Sequence, residues 1–317
     1  MGAEKVLVMD TFVLPFIAFV AGLLLLIKGA DLFVRGGSGL AARVQISKTL
    51  IGFTIISFGT TLPEFVVNIN ALLMRSPDIS LGNVLGSCVA NIALILSLCA
   101  ILSPESLKIR GSVPWSSEWG FMFGAMILFC FLALRGVIDV YAGVVLLSGF
   151  FLTLWLLWKR RRHVEHHFRE SGWRDYLSTV VGLAGVIAGS YLIVQSAVFI
   201  ATASGISEFV IGLSLVAVGT SLPELFTALV AVLRGEGELS VGNLLGANVY
   251  NLLFVMGIGG LILPIPIVSF FDIAVMIGFA ILVLPIFLWD RVPARLWASL
   301  ILTLYGFYIG HLFGFLR

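Results

Sequence analysis

Two near-copies of one segment, Gly59-Thr60-Thr61-Leu62-Pro63-Glu64 and Gly219-Thr220-Ser221-Leu222-Pro223-Glu224, stand 160 residues apart inside long apolar runs. Each places a glycine, a helix-breaking proline and a carboxylate among residues suited to hydrocarbon. An acid at bilayer depth costs at least ~3 kcal/mol on insertion scales, so two at matched positions point to one cation site shared between two halves. Kinked packing helices with satisfied or protonated glutamates would account for one copy; they account poorly for two at a single offset.

Hydrophobic residues make up 60% of the chain and charged residues 11%, with a mean hydropathy of +1.11. Such values lie outside the soluble globular range and indicate a polytopic membrane protein. With roughly 20 apolar residues needed per crossing, ten spans are predicted near 12–34, 49–73, 80–102, 117–134, 138–158, 176–202, 209–233, 240–263, 265–289 and 296–316. The first has no small-residue cleavage signal after it and is expected to be retained. Cys88, Cys99 and Cys130 all fall within these spans as apolar packing groups, with no disulfide framework. Fourteen Lys and Arg residues lie in the loops joining spans 1-2, 3-4, 5-6, 7-8 and 9-10, against four on the other side. The positive-inside rule therefore predicts that those loops are cytoplasmic and both termini outside, in an inner or plasma membrane.

The internal match continues beyond the hexamers. Ile46-Ser47 and Ile51-Gly52 recur as Ile206-Ser207 and Ile211-Gly212, and the stretch from Leu81 to Asn91 recurs from Val241 to Asn251. Each copy holds five predicted spans, so the second must enter the membrane from the opposite face. The expected fold is all-α: ten transmembrane helices in two inverted five-helix repeats, residues 1–158 and 176–317, joined by a basic cytoplasmic linker at 159–175. The linker contains His163, His166 and His167, read as part of a solvated charged loop rather than a metal site. Two similar halves of opposite orientation can exchange conformations, closing one entrance as the other opens.

Pro63 has no amide hydrogen to give the Gly59 carbonyl, and Pro223 likewise releases Gly219. Within a membrane such unwinding is tolerated where the freed oxygen lines a cavity or binds an ion. Thr60 and Glu64 are four residues apart, as are Thr220 and Glu224, so hydroxyl and carboxylate can face one side. Ser87 and Asn91 on the next span share that spacing. Asn251 repeats Asn91, whereas Ala247 replaces the serine. Carboxylate, amide, hydroxyl and main-chain oxygens without His or Cys favour hard cations such as Ca²⁺ or Na⁺. One Ca²⁺ or two Na⁺ would neutralise Glu64 and Glu224, and competition for those acids is the simplest coupling rule. Asn83 and Asn243 are assigned to helix packing. Lys28 and Asp31 are expected to pair with each other or reach the interface, and Glu118, Asp139 and Asp272 to lie at span edges. Gly182, Gly185 and Gly189 permit close helix approach, for tight packing or for sliding.

The paired Gly-Thr-Ser/Thr-Leu-Pro-Glu segments, each followed by Gly-Asn and then Gly-Ser/Ala-x-x-x-Asn, resemble the two alpha-repeats of the cation/calcium exchanger superfamily, most of all prokaryotic sodium/calcium exchangers. The likeness covers essentially the whole chain. It implies a monomer-sized unit in which spans 2, 3, 7 and 8 form a core around one Ca²⁺ site flanked by Na⁺ sites, with spans 1 and 6 sliding across it. It further implies central ligands from Glu64, Glu224, Thr60 and Thr220, flanking Na⁺ sites drawing on Ser57, Thr61, Ser87, Ala217 and Ser221, and Asn91 close to the centre. Two residues depart from the archaeal pattern: Asn251 stands where those relatives have aspartate, and Ala247 where serine is common. The first argues against a potassium requirement, and the second bears on one flanking Na⁺ site and the coupling ratio.

The function expected is secondary antiport of Na⁺ against Ca²⁺. Rival readings on the same scaffold are H⁺/Ca²⁺ antiport, whose usual Gly-Asn-Ala-x-Glu pattern is absent here, and exchange of Mg²⁺ or Mn²⁺. Neither paired catalytic aspartates nor H-E-x-x-H nor a nucleophile with its base is present to suggest a hydrolase, and the inverted-repeat design argues against a passive channel. No cofactor is expected; the partners are inorganic cations and the lipid bilayer, not nucleic acid.

Overall fold

The computed structural model describes residues 2–43, 46–107, 117–160, 172–203, 217–288 and 292–312. The histidines of the linker, the Ile206-Ser207 and Ile211-Gly212 matches and the first part of the span predicted at 209–233 lie outside them. Helix α1 runs over Gly2–Arg43, α2 over Lys48–Thr60, α3 over Leu62–Leu73, α4 over Pro77–Leu102 and the short α5 over Pro104–Leu107. Ser117–Ala133 is α6 and Val140–Arg160 is α7. The second half contains α8 (Trp173–Ala203), α9 (Ala217–Thr220), α10 (Leu222–Leu233) and α11 (Gly237–Ile262). It continues with α12 (Phe270–Leu282), α13 (Leu284–Leu288) and α14 (Ala294–Leu312).

Helix occupies part of each of the ten predicted spans, and six described stretches are long and apolar enough to cross a membrane: α1, α4, α7, α8, α11, and α12 together with α13. The bent pair α2 and α3, meeting at 45°, adds a seventh if it is one span. Leu14, Ile127, Phe131 and Leu296 stand more than two-thirds exposed on outer faces, as expected where the solvent is lipid. An all-α chain was expected; Val137–Ile138 (β1) and Ile265–Pro266 (β2) instead form a minimal antiparallel ladder that ties the α6–α7 connection to the α11–α12 connection.

The two copies have the same backbone. A helix ends at Thr60 or Thr220, one residue breaks it, and a new helix begins at Leu62 or Leu222 with Pro63 or Pro223 in its first turn. There proline costs no hydrogen bond and its fixed φ suits the helix start. Both second helices close in a left-handed turn, at Arg75 (φ 57°) and Gly235 (φ 74°), with matching bonds from Ser76 N–H to the Ala71 carbonyl and from Glu236 N–H to the Ala231 carbonyl. Both following helices then widen into a π-helical stretch, at Ala90–Leu96 in α4 and Tyr250–Val255 in α11. These two helices are the centre of the molecule: 72% and 78% of their most apolar windows are buried, against 22–33% in α1, α7, α8 and α12.

Around this core α1 and α8 form a closely apposed pair. A side chain on Gly29 would strike the Val186 amide nitrogen, and one on Gly182 the Phe33 backbone. The small residues on α8 therefore serve tight packing against α1. The pair meets the core through Leu26, Ala30, Val186 and Ile193, packed with Leu222, Phe226 and Val230 of α10.

Candidate cation site

Glu64 and Glu224 sit in the first turns of α3 and α10, where the positive helix end favours an anionic side chain. Both are 1% exposed. Their carboxyl groups come within interacting distance of each other, and each takes a hydroxyl from the opposite repeat. Thr61 Oγ1 donates to Glu224 Oε1 and Ser221 Oγ to Glu64 Oε1, both at 3.4 Å. Thr61 and Ser221 are the residues at the helix breaks, so the same interruption that ends one helix turns its hydroxyl towards the other repeat's acid. Ser87 Oγ lies 3.3 Å from Ser221 Oγ and joins the cluster from α4.

Thr60 Oγ1 donates to Asn243 Oδ1 at 3.2 Å, and Thr220 Oγ1 to Asn83 Oδ1 at 3.4 Å. The Gly-Asn asparagines thus do more than pack: each accepts from the hydroxyl of the opposite repeat's threonine, and the Thr60 hydroxyl also lies 3.4 Å from the Ser57 carbonyl. The Ser57 hydroxyl donates to the Phe53 carbonyl at 2.5 Å, against the bare face of Gly246. Ala217 opens α9, and its side chain lies outside the described residues.

Asn91 and Asn251 are each 1% exposed and occupy equivalent places in the two π-helical stretches, a distortion often found at functional sites. The Asn91 stretch packs on α10, which carries Glu224, and the Asn251 stretch on α3, which carries Glu64. Among the described residues, four carboxylate or amide oxygens are buried without a hydrogen-bonding partner: Glu64 Oε2, Glu224 Oε2, Asn91 Oδ1 and Asn251 Oδ1. They form two repeat-related pairs. A buried acceptor without a donor costs ~1–3 kcal/mol or more when charged, and a hard cation that accepts only oxygen ligands would satisfy all four. Among the described residues no three His, Cys, Asp or Glu side chains cluster, which does not fit a thiolate or imidazole centre.

Several polar partners carry no sequence signal because the repeat does not duplicate them. Ser190 on α8 donates to the Gly219 carbonyl at 3.1 Å, taking an oxygen that Pro223 releases. Asn68, wholly buried, donates to the Glu64 carbonyl at 2.8 Å and accepts from Ser80 at 2.7 Å. Asp31 pairs with Arg35 at 3.2 Å and with Arg234, rather than with Lys28, which is exposed. Of the acids expected at span edges, Asp139 pairs with Arg135 at 2.9 Å and Asp272 accepts from the Tyr308 hydroxyl at 2.9 Å. Glu118, in the first turn of α6, is buried rather than at an open surface. Cys88 and Cys99 are buried and all three thiols are free.

A helical membrane protein that buries two facing carboxylates among unpaired amide oxygens belongs to the class of cation transporters. The sodium/calcium exchanger protein family model matches residues 14–159 and 175–314, and the chain belongs to that family. It is 28% identical to sodium/calcium exchanger MaX1 of Methanosarcina acetivorans over 94% of this chain and 97% of the relative. Inner membrane protein YrbG of Escherichia coli is 34% identical over 77% of this chain and 79% of its own length. Among solved structures, the sodium-calcium exchanger NCX_Mj soaked with 2.5 mM Na⁺ and 0.1 mM Ca²⁺ superposes with a TM-score of 0.82 at 33% identity, covering 94% of this chain and 98% of the other.

Proposed function

We propose that the protein is a secondary antiporter that exchanges Na⁺ for Ca²⁺ by alternating access at one central site shared by its two halves. The observation that carries this reading is the pair of repeat-related, buried, unpartnered oxygen sets, Glu64 Oε2 with Asn91 Oδ1 and Glu224 Oε2 with Asn251 Oδ1. Family membership and the likeness to NCX_Mj support it. In this reading Glu64 and Glu224 hold the divalent ion with the Thr60 and Thr220 oxygens. Thr61, Ser87 and Ser221, with Ser57 and the Ala217 carbonyl at the edge, serve Na⁺. The cross-repeat asparagines Asn83 and Asn243 hold the threonine hydroxyls so that lone pairs face the cation. Two carboxylates are neutralised by one Ca²⁺ or two Na⁺, and the doubly charged empty site resists crossing the low-dielectric barrier, so one ion leaves only as the other replaces it.

The membrane arrangement proposed with it is ten spans in two inverted five-helix halves, with both termini outside and the basic 159–175 linker in the cytoplasm. The α1–α8 pair moves across the core to open each side in turn. The test is radiolabelled Ca²⁺ uptake into proteoliposomes preloaded with Na⁺, against a pH gradient alone. Uptake requiring internal Na⁺ is expected, and Glu64→Gln or Glu224→Gln should abolish it while the protein remains folded and extractable. Uptake driven by pH alone would make the protein a proton antiporter, and full activity in both variants would remove the central-site model.

A further inference from the structure

Asn91 Nδ2 donates to Asn248 Oδ1 at 3.0 Å, and Asn248 Nδ2 in turn points at Met122 Sδ, 3.7 Å away on α6. Asn248 and Met122 are 0% exposed and Asn91 is 1% exposed, so these bonds are shielded from bulk water. A primary amide turned end over end fills the same space, and its neighbours alone decide which end goes where. The thioether of Met122 has lone pairs and no hydrogen, so it only accepts. The Asn248 amide nitrogen therefore belongs on the Met122 side and its carbonyl oxygen on the Asn91 side. The reverse order would set oxygen against sulfur and two NH₂ groups against each other in a dry core, a costly pairing of like with like. Asn91 must then donate, and the atom left over is its Oδ1, the oxygen that has no partner.

Resting on the exchanger reading and adding to it, we infer that Asn248, anchored on Met122, is a positioning residue that holds the Asn91 amide with its oxygen towards the cation. Asn91 lies one turn beyond Ser87, whose hydroxyl reaches Ser221 and through it Glu64, and its stretch packs on the helix that carries Glu224. The device belongs to one half only. The position equivalent to Asn248 is Cys88, a buried thiol without an amide's opposed donor and acceptor ends.

The experiment measures two quantities: the Ca²⁺ concentration for half-maximal Na⁺-driven uptake in proteoliposomes, and the rise in melting temperature that Ca²⁺ gives the purified protein. Both are taken for the wild type, Asn248→Leu, Asn248→Asp, Asn91→Ala and the Asn91→Ala/Asn248→Leu double variant. Asn248→Leu removes the acceptor while keeping the number of side-chain heavy atoms and should raise half-saturation about 10- to 100-fold, the range for losing the partner that orients a metal ligand. Asn248→Asp, held neutral by its burial, keeps a carbonyl oxygen facing Asn91 and a hydroxyl facing Met122, and should stay within about threefold of wild type. In the Asn91→Ala background Asn248→Leu should add less than about twofold, since both changes act through one oxygen.

Wild-type half-saturation in Asn248→Leu, an equal loss in the Asn91→Ala background, or an equal loss in the Leu and Asp variants would each overturn the inference. Should Asn248→Leu fail to fold, Met122→Leu tests the relay from its other end, where weaker Ca²⁺ binding with an unchanged maximal rate is expected and unaltered binding would overturn it. If the wild type neither takes up Ca²⁺ nor gains melting temperature from it, the exchanger reading falls and takes the inference with it. If the wild type does both while the variants match it, the inference alone falls.

Discussion

Glu64 and Glu224 each have one oxygen hydrogen-bonded across the repeat and the other bare. That division follows from the helix breaks, which place Thr61 and Ser221 where their protons reach the opposite carboxylate. In the proposed site Asn251 keeps the charge at two rather than three, because an aspartate there would add a third anion beside α3. Asn251→Asp is accordingly expected to change cation affinity, selectivity or the pH dependence of uptake; an unchanged profile across Ca²⁺, Sr²⁺ and Na⁺ would put the residue outside the site. The glutamates and threonines were legible because the chain states them twice at one offset. Asn83 and Asn243 were also stated twice, yet adjacent glycines suggested packing, and only the fold brings Asn83 to Thr220 and Asn243 to Thr60. Asn248, Asn68 and Ser190 were illegible for the opposite reason: their repeat equivalents are Cys88, Ala228 and Ala30, so a search by symmetry passes over them.

At the scale of elements, the prolines announced the breaks at Thr61 and Ser221, whereas nothing in the residues announced the π-helical stretches, whose extra residue per turn has no composition of its own. The α1–α8 contact was half legible. Glycines on α8 signalled close approach, but their match to Gly22, Gly29 and Gly36 on α1 needs the register of two helices distant in sequence. In that contact main chain lies on main chain. Gly29→Ala would drive a methyl into the Val186 amide, and overpacking of this kind costs ~1–3 kcal/mol, read as a lower melting temperature of the detergent-purified protein. Gly124→Ala on α6, where an added methyl meets nothing within 4 Å, is the control. It should be neutral or raise stability by up to about 1 kcal/mol, the helix preference of alanine over glycine. Equal behaviour of the two variants would mean that the α1–α8 apposition is not as close as described.

For the molecule as a whole, the pair α1–α8 is tied to the core by few polar contacts among the described residues. One is Asp31 of α1 with Arg234 at the end of α10; another is Ser190 of α8 with Gly219. Lys48 and Glu236, 2.5 Å apart, join the start of α2 to the turn before α11 near the same end. Part-exposed pairs of this kind contribute ~0–1 kcal/mol. Asp31→Asn should therefore leave Na⁺-driven Ca²⁺ uptake substantial, with half-saturation within about twofold of wild type, as befits a pair this weak. Abolished uptake would place Asp31 in the ion path instead. The general architecture was legible because membrane spans must be continuous and apolar, while the β1–β2 ladder, two residues per strand, is too short to leave a pattern.

The unmatched residues also bear on how the exchanger rests. Two halves identical in every side chain would give outward-open and inward-open forms of equal energy, each the mirror image of the other in its use of the repeats. Here Ser190 has Ala30 as its counterpart, Asn248 has Cys88 and Asn68 has Ala228. Whatever each contact contributes in one form, no twin returns in the other. A net imbalance of about 1.4 kcal/mol already sets the idle populations at ten to one. In the alternating-access cycle proposed above, the gradients decide which way the ions flow, and the flaws in the symmetry decide on which side of the membrane the empty door is left ajar.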